Sequence, residues 1–329
     1  MKKSLLITAG LLIAAALNAA DLRIGIIGCD TSHCAAFTEA FNNPQGKSHV
    51  PGGKVVAAFK GGSPDLPASI SRVENVATNL QAKYGVKIYD SIEELCSNVD
   101  VVLLESVDGR PHLEQMKPVI AAQKPVFVDK PVAASLKDAL EIFRLAKGAN
   151  VPIFSASSLR FGKDTQAVRN GSVGKVAYAE TTSPLELEPN HPELFWYGIH
   201  GVESLFTVMG TGCESVQRGT WTNGLIEVIG TWSGGRKGIY REEKQKNYGA
   251  NYHGIAKGDK GEAKVGSFDG YEPLAVEIMK FFQTGVAPVQ PEETIEIMAF
   301  MQAEQASKDA NGAVVKISDV MAKAKATKP

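Results

Sequence analysis

Residues 23–33 read Arg-Ile-Gly-Ile-Ile-Gly-Cys-Asp-Thr-Ser-His, and this stretch decides the fold of the chain. The apolar run 24–27 is typical of a buried strand, a glycine turn follows at Gly28, and an amphipathic helix comes next. A strand, a glycine turn and a helix in this order are the setting of a dinucleotide-binding site. The usual fingerprint is Gly-x-Gly-x-x-Gly, counted here from Gly28, but Asp30 and His33 replace its second and third glycines.

The two replaced glycines leave the use of this loop open. The second glycine lets the backbone approach a pyrophosphate, which the carboxylate of Asp30 would repel. The hydroxyl groups of Thr31 and Ser32, a protonated His33 and the N–H groups of the helix N-terminus offer other contacts to phosphate. Asp30 also suits the capping position of the helix. The loop therefore either holds a cofactor by a modified set of contacts or has lost it.

The first twenty residues predict a signal peptide. Lys2 and Lys3 are followed by an apolar stretch from 5 to 17, and the small residues Ala19 and Ala20 precede a polar residue. A membrane anchor and a buried helix are the alternatives, but the stretch is short for a membrane span. We therefore expect residues 1–20 to be removed, no stable membrane anchor, and a periplasmic or secreted protein.

Length and charge place limits on the rest of the chain. A chain of 329 residues predicts two domains. The formal net charge of -1 and the absence of a long basic run argue against nucleic acid as a partner. The four cysteines are expected to be buried, inert thiols, and no residue pattern predicts a metal site.

The mature chain divides into two parts of different pattern. Residues 21–157 alternate strands and helices, which predicts an α/β, Rossmann-type, doubly wound parallel sheet. Residues 158–329 predict an α+β domain with a largely antiparallel, open sheet, and its lysine-rich end after Val320 is expected to fray. The predicted strands are 24–27, 55–59, 86–89, 101–104, 125–128, 151–154, 176–182, 224–232 and 238–241, and the predicted helices are 76–84, 112–122, 135–147, 194–209, 273–282 and 291–306.

Two later stretches carry side chains suited to proton transfer. The sequence Asp129-Lys130-Pro131 follows a strand of the first domain, at the edge of a doubly wound sheet where ligands bind. His200 lies near the start of a helix and could act as a general base toward a hydroxyl group, with Tyr197 three residues away on the same face. A surface lysine and a histidine satisfied inside the core are the alternatives.

Together these stretches resemble the Gfo/Idh/MocA family of oxidoreductases. The resemblance rests on the opening Gly25-Ile26-Ile27-Gly28, on Ser106 to His112 leading to Asp129-Lys130-Pro131, on Gly198-Ile199-His200 before Met209-Gly210, and on the closing pattern from Glu292 to Val315. It implies an NAD(P)-binding domain followed by an α+β domain whose open sheet mediates a homo-oligomer. It also implies oxidation or reduction of a sugar or polyol.

The resemblance carries roles onto residues of this chain. Lys130 and His200 take the family's catalytic positions, with Lys130 polarising the oxygen and His200 taking the hydroxyl proton, and Tyr197 assists. Lys60 at the end of the second strand favours the 2′-phosphate of NADP or no nucleotide. Trp196 stands where the family often has an aspartate. The implied cofactor contacts are Gly28, Asp30, Thr31, Ser32, His33, Lys60, Ser106, His112, Asp129 and Lys130.

Export adds a condition to the cofactor. Free nicotinamide cofactors are scarce outside the cytoplasm, so an exported enzyme needs NAD or NADP to be held tightly. We predict an exported NAD(P)-dependent oxidoreductase acting on a carbohydrate or polyol. Two alternatives stay open: a redox-neutral glycoside hydrolase or lyase that recycles bound NAD, and a cofactor-free carbohydrate-binding protein on the same fold.

Overall fold

The computed structural model describes residues 20–244 and 251–326, so the predicted signal peptide lies outside the described residues apart from Ala20. Within these ranges, no helix has the length and apolar character needed to cross a membrane.

The first part of the described chain is built on one parallel sheet. Its strands are β1 Leu22–Ile27, β2 Gly53–Phe59, β3 Lys87–Tyr89, β4 Val101–Leu104, β5 Val126–Val128 and β6 Ile153–Ser155. The order across the sheet is β3-β2-β1-β4-β5-β6. Its helices are α1 Ser32–Asn42, α2 Pro67–Tyr84, α3 Ile92–Ser97, α4 His112–Ala121 and α5 Leu136–Gly148. This arrangement confirms the predicted doubly wound parallel sheet, in which β1 and β4 flank the point where the strand order reverses.

The apolar composition of the strands explains their position. Both faces of a parallel sheet are covered by helices, so its strands read as continuous apolar runs. Ile24, Ile26 and Ile27 of β1 are fully buried, and so are Val102, Leu103 and Leu104 of β4. The polar residues that follow these strands are consequently gathered at the carboxyl edge of the sheet.

Two helices differ from prediction at their N-termini. The cap of α1 is Thr31, whose hydroxyl accepts a hydrogen bond from the N–H of His33, so the expectation that Asp30 caps this helix is wrong. Helix α2 begins at Pro67, nine residues before the predicted start. A proline suits the first turn of a helix, because its missing N–H would have no partner there. The early start brings the first turns of α2 to the carboxyl edge of the sheet.

The second part of the described chain contains a mixed sheet. Its strands are β7 Val176–Pro184, β8 Cys213–Thr220, β9 Ile226–Trp232, β10 Lys237–Glu243, β11 His253–Gly258, β12 Gly261–Val265 and β13 Val315–Lys316. Their order is β12-β11-β7-β10-β9-β8-β13, and within the described part of the chain every pairing of neighbours is antiparallel except that of β10 with β7. The predicted largely antiparallel sheet is confirmed, although the prediction lacked β8, β11, β12 and β13.

The helices of the second part cover one face of this sheet and also reach the first sheet. They are α6 Lys163–Arg169, α7 Ile199–Met209, α8 Glu272–Thr284, α9 Pro291–Asp309 and α10 Ile317–Ala326. Every residue of α7 is buried, and Phe281 of α8 packs edge to face on Phe154 of β6. The chain after Val320 continues α10 as far as Ala326, so the predicted fraying there is wrong. The boundary between residues 157 and 158 stays a prediction.

Candidate active site

A cavity of about 420 Å³, here called the cleft, lies between the carboxyl edge of the first sheet and α7. Six residues predicted for the site line it: Thr31, Ser32, His33, Lys130, Tyr197 and His200. They come from the start of α1, from the end of β5 and from the start of α7. The fold therefore brings together residues that are as much as 169 positions apart, because α1 and α7 begin, and β5 ends, at the carboxyl edge of the first sheet.

His200 is positioned by the helix that carries it and by a serine of the first part. A π-helical turn at Leu194–Gly198 leads directly into α7 and places His200 in its first turn. The Nδ1 atom of His200 lies 2.7 Å from Oγ of Ser157, which leaves Nε2 for the cleft. When Nδ1 donates to the serine, Nε2 carries a free lone pair and can accept a proton.

The surroundings of His200 keep its ring neutral. Burial lowers the pKa of His200 well below its usual range, and the positive charge of Lys130 lowers this pKa further. A neutral imidazole is the form that a general base needs at neutral pH. The geometry and the electrostatics of His200 are thus those of a base that faces a ligand.

Lys130 and Tyr197 also line the cleft. Lys130 follows β5, and Tyr197 belongs to the π-helical turn. The Nζ atom of Lys130 is 5.6 Å from the centroid of the Tyr197 ring, and the Tyr197 ring is 5.3 Å from that of His200. Burial raises the pKa of Tyr197 to about 12, so its hydroxyl keeps its proton at neutral pH. The cleft therefore offers one cation, one phenol and one base within a small space.

Beneath the cleft, His33 contacts the carboxylate of Asp129. Nδ1 of His33 and Oδ2 of Asp129 are 2.6 Å apart, and the other oxygen of Asp129 accepts the N–H of Lys130. Burial alone would raise the pKa of Asp129, but His33 and Lys130 lower it below its usual range. His33 is thus tied to a carboxylate through Nδ1 and also lines the cleft, so its contact with a phosphate stays a prediction.

The carboxylate of Asp30 points away from the cleft and is fully buried. Its Oδ2 accepts a hydrogen bond of 2.6 Å from Ser69 of α2, and its Oδ1 accepts one of 3.0 Å from the N–H of Val107, after β4. Burial raises the pKa of Asp30. Asp30 therefore neither caps α1 nor faces the cleft, since it links the segment after β2 to the loop after β4.

Further contacts join the same two segments. The hydroxyl of Ser63 donates to Oδ2 of Asp108 at 2.6 Å, and Arg110 donates to both oxygens of Asp65 at 2.7 and 2.9 Å. Nε2 of His191, from the second part, lies 3.0 Å from Oδ1 of Asp108. We call the contacts of Asp30, Ser63, Asp65, Ser69, Val107, Asp108, Arg110 and His191 the bridge.

The bridge lies where a dinucleotide would cross the sheet. The strand β1 is central between β2 and β4, and ligands of such sheets bind beyond the carboxyl ends, at the point where the strand order reverses. In this structure Asp30 is hydrogen-bonded to Ser69 in the first turn of α2 and to Val107 after β4, so the bridge lies beside the turn after β1. A dinucleotide that crosses the sheet beside β1, in the crevice over that strand, would therefore meet the bridge, while Thr31, Ser32 and Val107 line open space at the same edge. The cleft itself stays open.

Three other predicted cofactor residues lie around the turn after β1 and the loop after β4: Gly28, Ser106 and His112. Gly28 has a φ of +93°, and a Cβ there would lie 2.4 Å from the backbone nitrogen of Ser106, so only glycine fits this turn. The Oγ of Ser106 is buried at the same contact. His112 is fully buried and its ring nitrogens lie 2.9 and 3.2 Å from the carbonyl oxygens of Ser106 and Val132. His112 thus holds the loop after β4 and does not reach the cleft.

Lys60, another predicted cofactor residue, does not line the cleft. Its ammonium group pairs with Glu74 at 2.8 Å, and the lysine side chain is 40% exposed. An exposed ion pair of this kind contributes little to stability. Lys60 is at the carboxyl end of β2, as expected, but its partner is a glutamate of α2.

Arg160 and Glu203 form a separate buried network. Arg160 is 1% exposed, donates to Glu203 of α7 and lies 2.8 Å from Glu293 of α9. Burial lowers the pKa of Arg160, while both carboxylates raise it, and the balance lies above its usual range. This network joins α7 to α9, so neither Arg160 nor Glu203 offers a polar group to His200.

Several residues of the cleft were absent from the sequence prediction. Arg72 of α2 lines it, as do the aromatic rings of Tyr252, Phe268 and Tyr271. Glu105 lies directly after β4 and is fully buried beneath it. A charged residue that follows the apolar run of β4 was a visible signal for Glu105, whereas Arg72 enters the site only because α2 starts early.

Comparisons with known proteins agree with this fold. The family model described as "Oxidoreductase family, NAD-binding Rossmann fold" matches residues 22–157. An uncharacterized oxidoreductase of Schizosaccharomyces pombe is 29% identical over 119 residues, which are 33% of this chain and 32% of that protein. The myo-inositol 2-dehydrogenase of Thermotoga maritima is 31% identical over 135 residues, 39% of each chain. The chain thus spans about a third of the length of the curated relatives that it matches.

Solved structures extend the likeness to the second part. An apo scyllo-inositol dehydrogenase from Lactobacillus casei has a TM-score of 0.73 at 14% identity and covers 91% of this chain and 98% of its own. A probable dehydrogenase from Thermotoga maritima has a TM-score of 0.72 at 20% identity, with coverage of 91% and 100%. At such identities the likeness concerns the fold.

Proposed function

This chain belongs to the Gfo/Idh/MocA family of NAD-binding oxidoreductases through residues 22–157, and on that premise we propose that its cleft acts on a sugar or polyol. The observation that carries the proposal is the position of His200 beside Lys130, at the lining of one cavity. The relatives that resemble it include a myo-inositol dehydrogenase and a scyllo-inositol dehydrogenase, whose names point to the same substrate class.

The proposed role of the two side chains is proton transfer at a hydroxyl group. Nε2 of neutral His200 accepts the proton of a substrate hydroxyl, and Ser157 fixes the ring through Nδ1. The ammonium group of Lys130 stabilises the negative charge that develops on the oxygen. Tyr197 orients the substrate by a hydrogen bond from its phenol, which stays protonated at neutral pH.

The cofactor of the proposed enzyme is NAD or NADP, as family membership supports. We infer that a dinucleotide bound beside β1 displaces Asp30 from its partners, so that cofactor binding costs the hydrogen bonds of the bridge. A tightly held cofactor therefore needs contacts that outweigh this cost. Export through residues 1–20, a periplasmic or secreted location and a homo-oligomer formed by the open sheet are part of the same proposal.

The lining of the cleft supports a hydroxylated ligand. Trp196, Tyr197, Tyr252, Phe268 and Tyr271 offer aromatic faces on which the C–H face of a sugar ring can pack. Arg72 and Lys130 add two cations, which favour sugars that also carry a carboxylate.

The test is turnover of a panel of inositols, sugars and sugar acids by the mature protein with NAD or NADP, beside mass spectrometry of any cofactor released on denaturation. We expect turnover of at least one polyol, with kcat lowered roughly 10²–10⁴-fold by His200→Asn. The control is Lys280→Gln, since Lys280 is an exposed lysine of α8 that pairs with Glu277 and does not line the cleft. Turnover that is equal in the wild type and in His200→Asn would contradict the proposal.

A second candidate function is a cofactor-free carbohydrate-binding protein, and the bridge is the observation that favours it. It predicts polyol binding by calorimetry without bound cofactor, without turnover and without any effect of millimolar NAD(H) or NADP(H). Release of one equivalent of NAD or NADP from the purified protein would exclude this candidate.

A further inference from the structure

Three buried side chains from three separate elements meet beneath the cleft. His33 belongs to the first turn of α1, Glu105 follows β4 and Asp129 follows β5. Because β4 and β5 are neighbours in a parallel sheet, the residues after them lie side by side. One nitrogen of His33 and one oxygen of each carboxylate all lie within 4.8 Å of one another.

Glu105 is the member of this cluster without a partner. Its side chain is fully buried, and both of its carboxyl oxygens lack a hydrogen bond within the described part of the chain. No ion pair of Glu105 is found among residues 20–244 and 251–326 either. A buried carboxyl group that is left unsatisfied costs about 1–3 kcal/mol, and more when it is charged. Something other than these residues must therefore satisfy it.

We propose that His33, Glu105 and Asp129 bind one divalent cation of the first transition row at the floor of the cleft. An imidazole and two carboxylates suit Zn²⁺, Mn²⁺ or Fe²⁺, whereas Ca²⁺ takes six to eight oxygen ligands. The two carboxylates balance the charge of the ion. Three protein ligands leave a further coordination position, as in catalytic zinc sites, and His33 lies at the cleft lining on that side.

The geometry requires two rearrangements of less than about 2 Å. Nδ1 of His33 and Oδ2 of Asp129 are 2.6 Å apart, which is the distance of a hydrogen bond. Ligand bonds near 2.0–2.2 Å place adjacent ligand atoms roughly 3.0–3.4 Å apart, so this pair separates by about 0.4–0.8 Å when the ion replaces the shared proton, and the ligand atoms that lie as much as 4.8 Å apart move closer together. Lys130 opposes the ion by its charge, and the N–H that it donates holds Asp129 in place.

The chain offers a matched control for Glu105. Glu304 of α9 is also fully buried, with both carboxyl oxygens lacking a hydrogen bond within the described residues. It lies 3.7 Å from Nε of Arg218 and belongs to no cluster that includes a histidine. Substituting each of these two glutamates by glutamine therefore separates metal binding from the general effect of changing a buried acid.

The experiment uses mature protein purified without a metal-affinity step, stripped with a chelator and titrated with Co²⁺, Zn²⁺ and Mn²⁺. We expect one ion per chain by elemental analysis and d–d absorption bands with Co²⁺ that Zn²⁺ displaces. Glu105→Gln should weaken binding at least tenfold, while Glu304→Gln leaves it unchanged.

His33→Gln is the second variant, in case Glu105→Gln does not fold. It should abolish the shift of the Co²⁺ bands that nitrogen ligation causes. The proposal is overturned if the wild type binds no stoichiometric ion, or if Glu105→Gln and Glu304→Gln bind alike. Neither outcome depends on turnover, so failure here leaves the proposed sugar or polyol chemistry standing.

Discussion

The crevice over β1 and the cleft beside α7 lie at the same edge of one sheet. Hydrogen-bonded side chains cross the first, whereas the second is open. In the crevice, side chains of the chain itself are bonded to each other, and Asp30 is fully buried. In the cleft, His200 and Lys130 face an open space of about 420 Å³. The bridge thus joins side chains of the chain itself beside the turn after β1, whereas the cleft leaves space for a ligand.

This difference separates two properties that the fold usually couples. The position of a base and a cation at the substrate depends on β5 and α7, and the structure keeps both. The position of a pyrophosphate depends on glycines at 30 and 33, which the chain has replaced by residues with buried partners. The substrate cleft and the cofactor crevice can therefore be tested independently.

The largest expected effect comes from opening the crevice. Asp30→Gly removes two hydrogen bonds of the bridge and the side chain that fills the space, so affinity for NAD(H) or NADP(H) should rise about tenfold or more. Asp30→Asn is the control, because it fills the same space, its one side-chain oxygen can accept from the N–H of Val107, and its amide group can donate to the hydroxyl oxygen of Ser69. Calorimetry measures both. Equal affinity in the two variants would mean that Asp30 does not obstruct the crevice.

A second effect concerns the stability of the bridge. Burial alone would raise the pKa of Asp108, but hydrogen bonds from His191, Arg110 and Ser63 lower it well below its usual range. A lowered carboxyl pKa stabilises the fold above the unfolded-state pKa, near 3.9, and this contribution is lost as the pH falls below it. Asp108→Asn should thus lower the free energy of unfolding by about 1.5–3 kcal/mol at pH 7.

The same variant should differ less from the wild type at pH 3 than at pH 7, which urea unfolding at both values measures. Asp65→Asn is the matched control, because the Asp65 side chain is 59% exposed and its ion pair with Arg110 is screened by water. A constant difference at both pH values would show that Asp108 acts through packing and not through its charge.

The smallest expected effect is a shift in the pH profile of the cleft. Lys130 lowers the pKa of His200, so Lys130→Met should raise that pKa and move the acid limb of kcat/KM upward by about half a unit or more. Lys130→Arg keeps the charge and should keep the limb in place. An equal shift of the acid limb of kcat/KM in both variants would show that the charge of Lys130 does not set the pKa of His200.

The parts of the fold that could be predicted from sequence are those with strong local patterns. The buried strand 101–104 was predicted with its observed limits, and Gly85, with a φ of +67°, ends α2 as expected. Strands β11 and β12 lack such a pattern: most of their residues are polar or small, and they form because β11 pairs with β7 and β12 pairs with β11. Local sequence does not encode such partners.

The site follows the same rule. Lys130 and His200 were predicted because each sits in a recognisable local motif. The bridge was not predicted, because Asp30 contacts Ser69 and Val107 only when α2 packs at the carboxyl edge of the sheet. Glu105 was overlooked although a carboxylate directly after an apolar strand is unusual and marks a buried charge.

The presence of His191 in the bridge gives the two regions a thermodynamic link. His191 contacts Asp108 in the bridge, and its ring centroid lies 5.0 Å from that of Trp196, which lines the cleft. A ligand that moves Trp196 therefore acts on the free energy of the bridge, and opening of the bridge acts on the ligand by the same amount. A ligand bound in the cleft would then change the measured affinity for a ligand bound at the bridge, and the reverse would also hold.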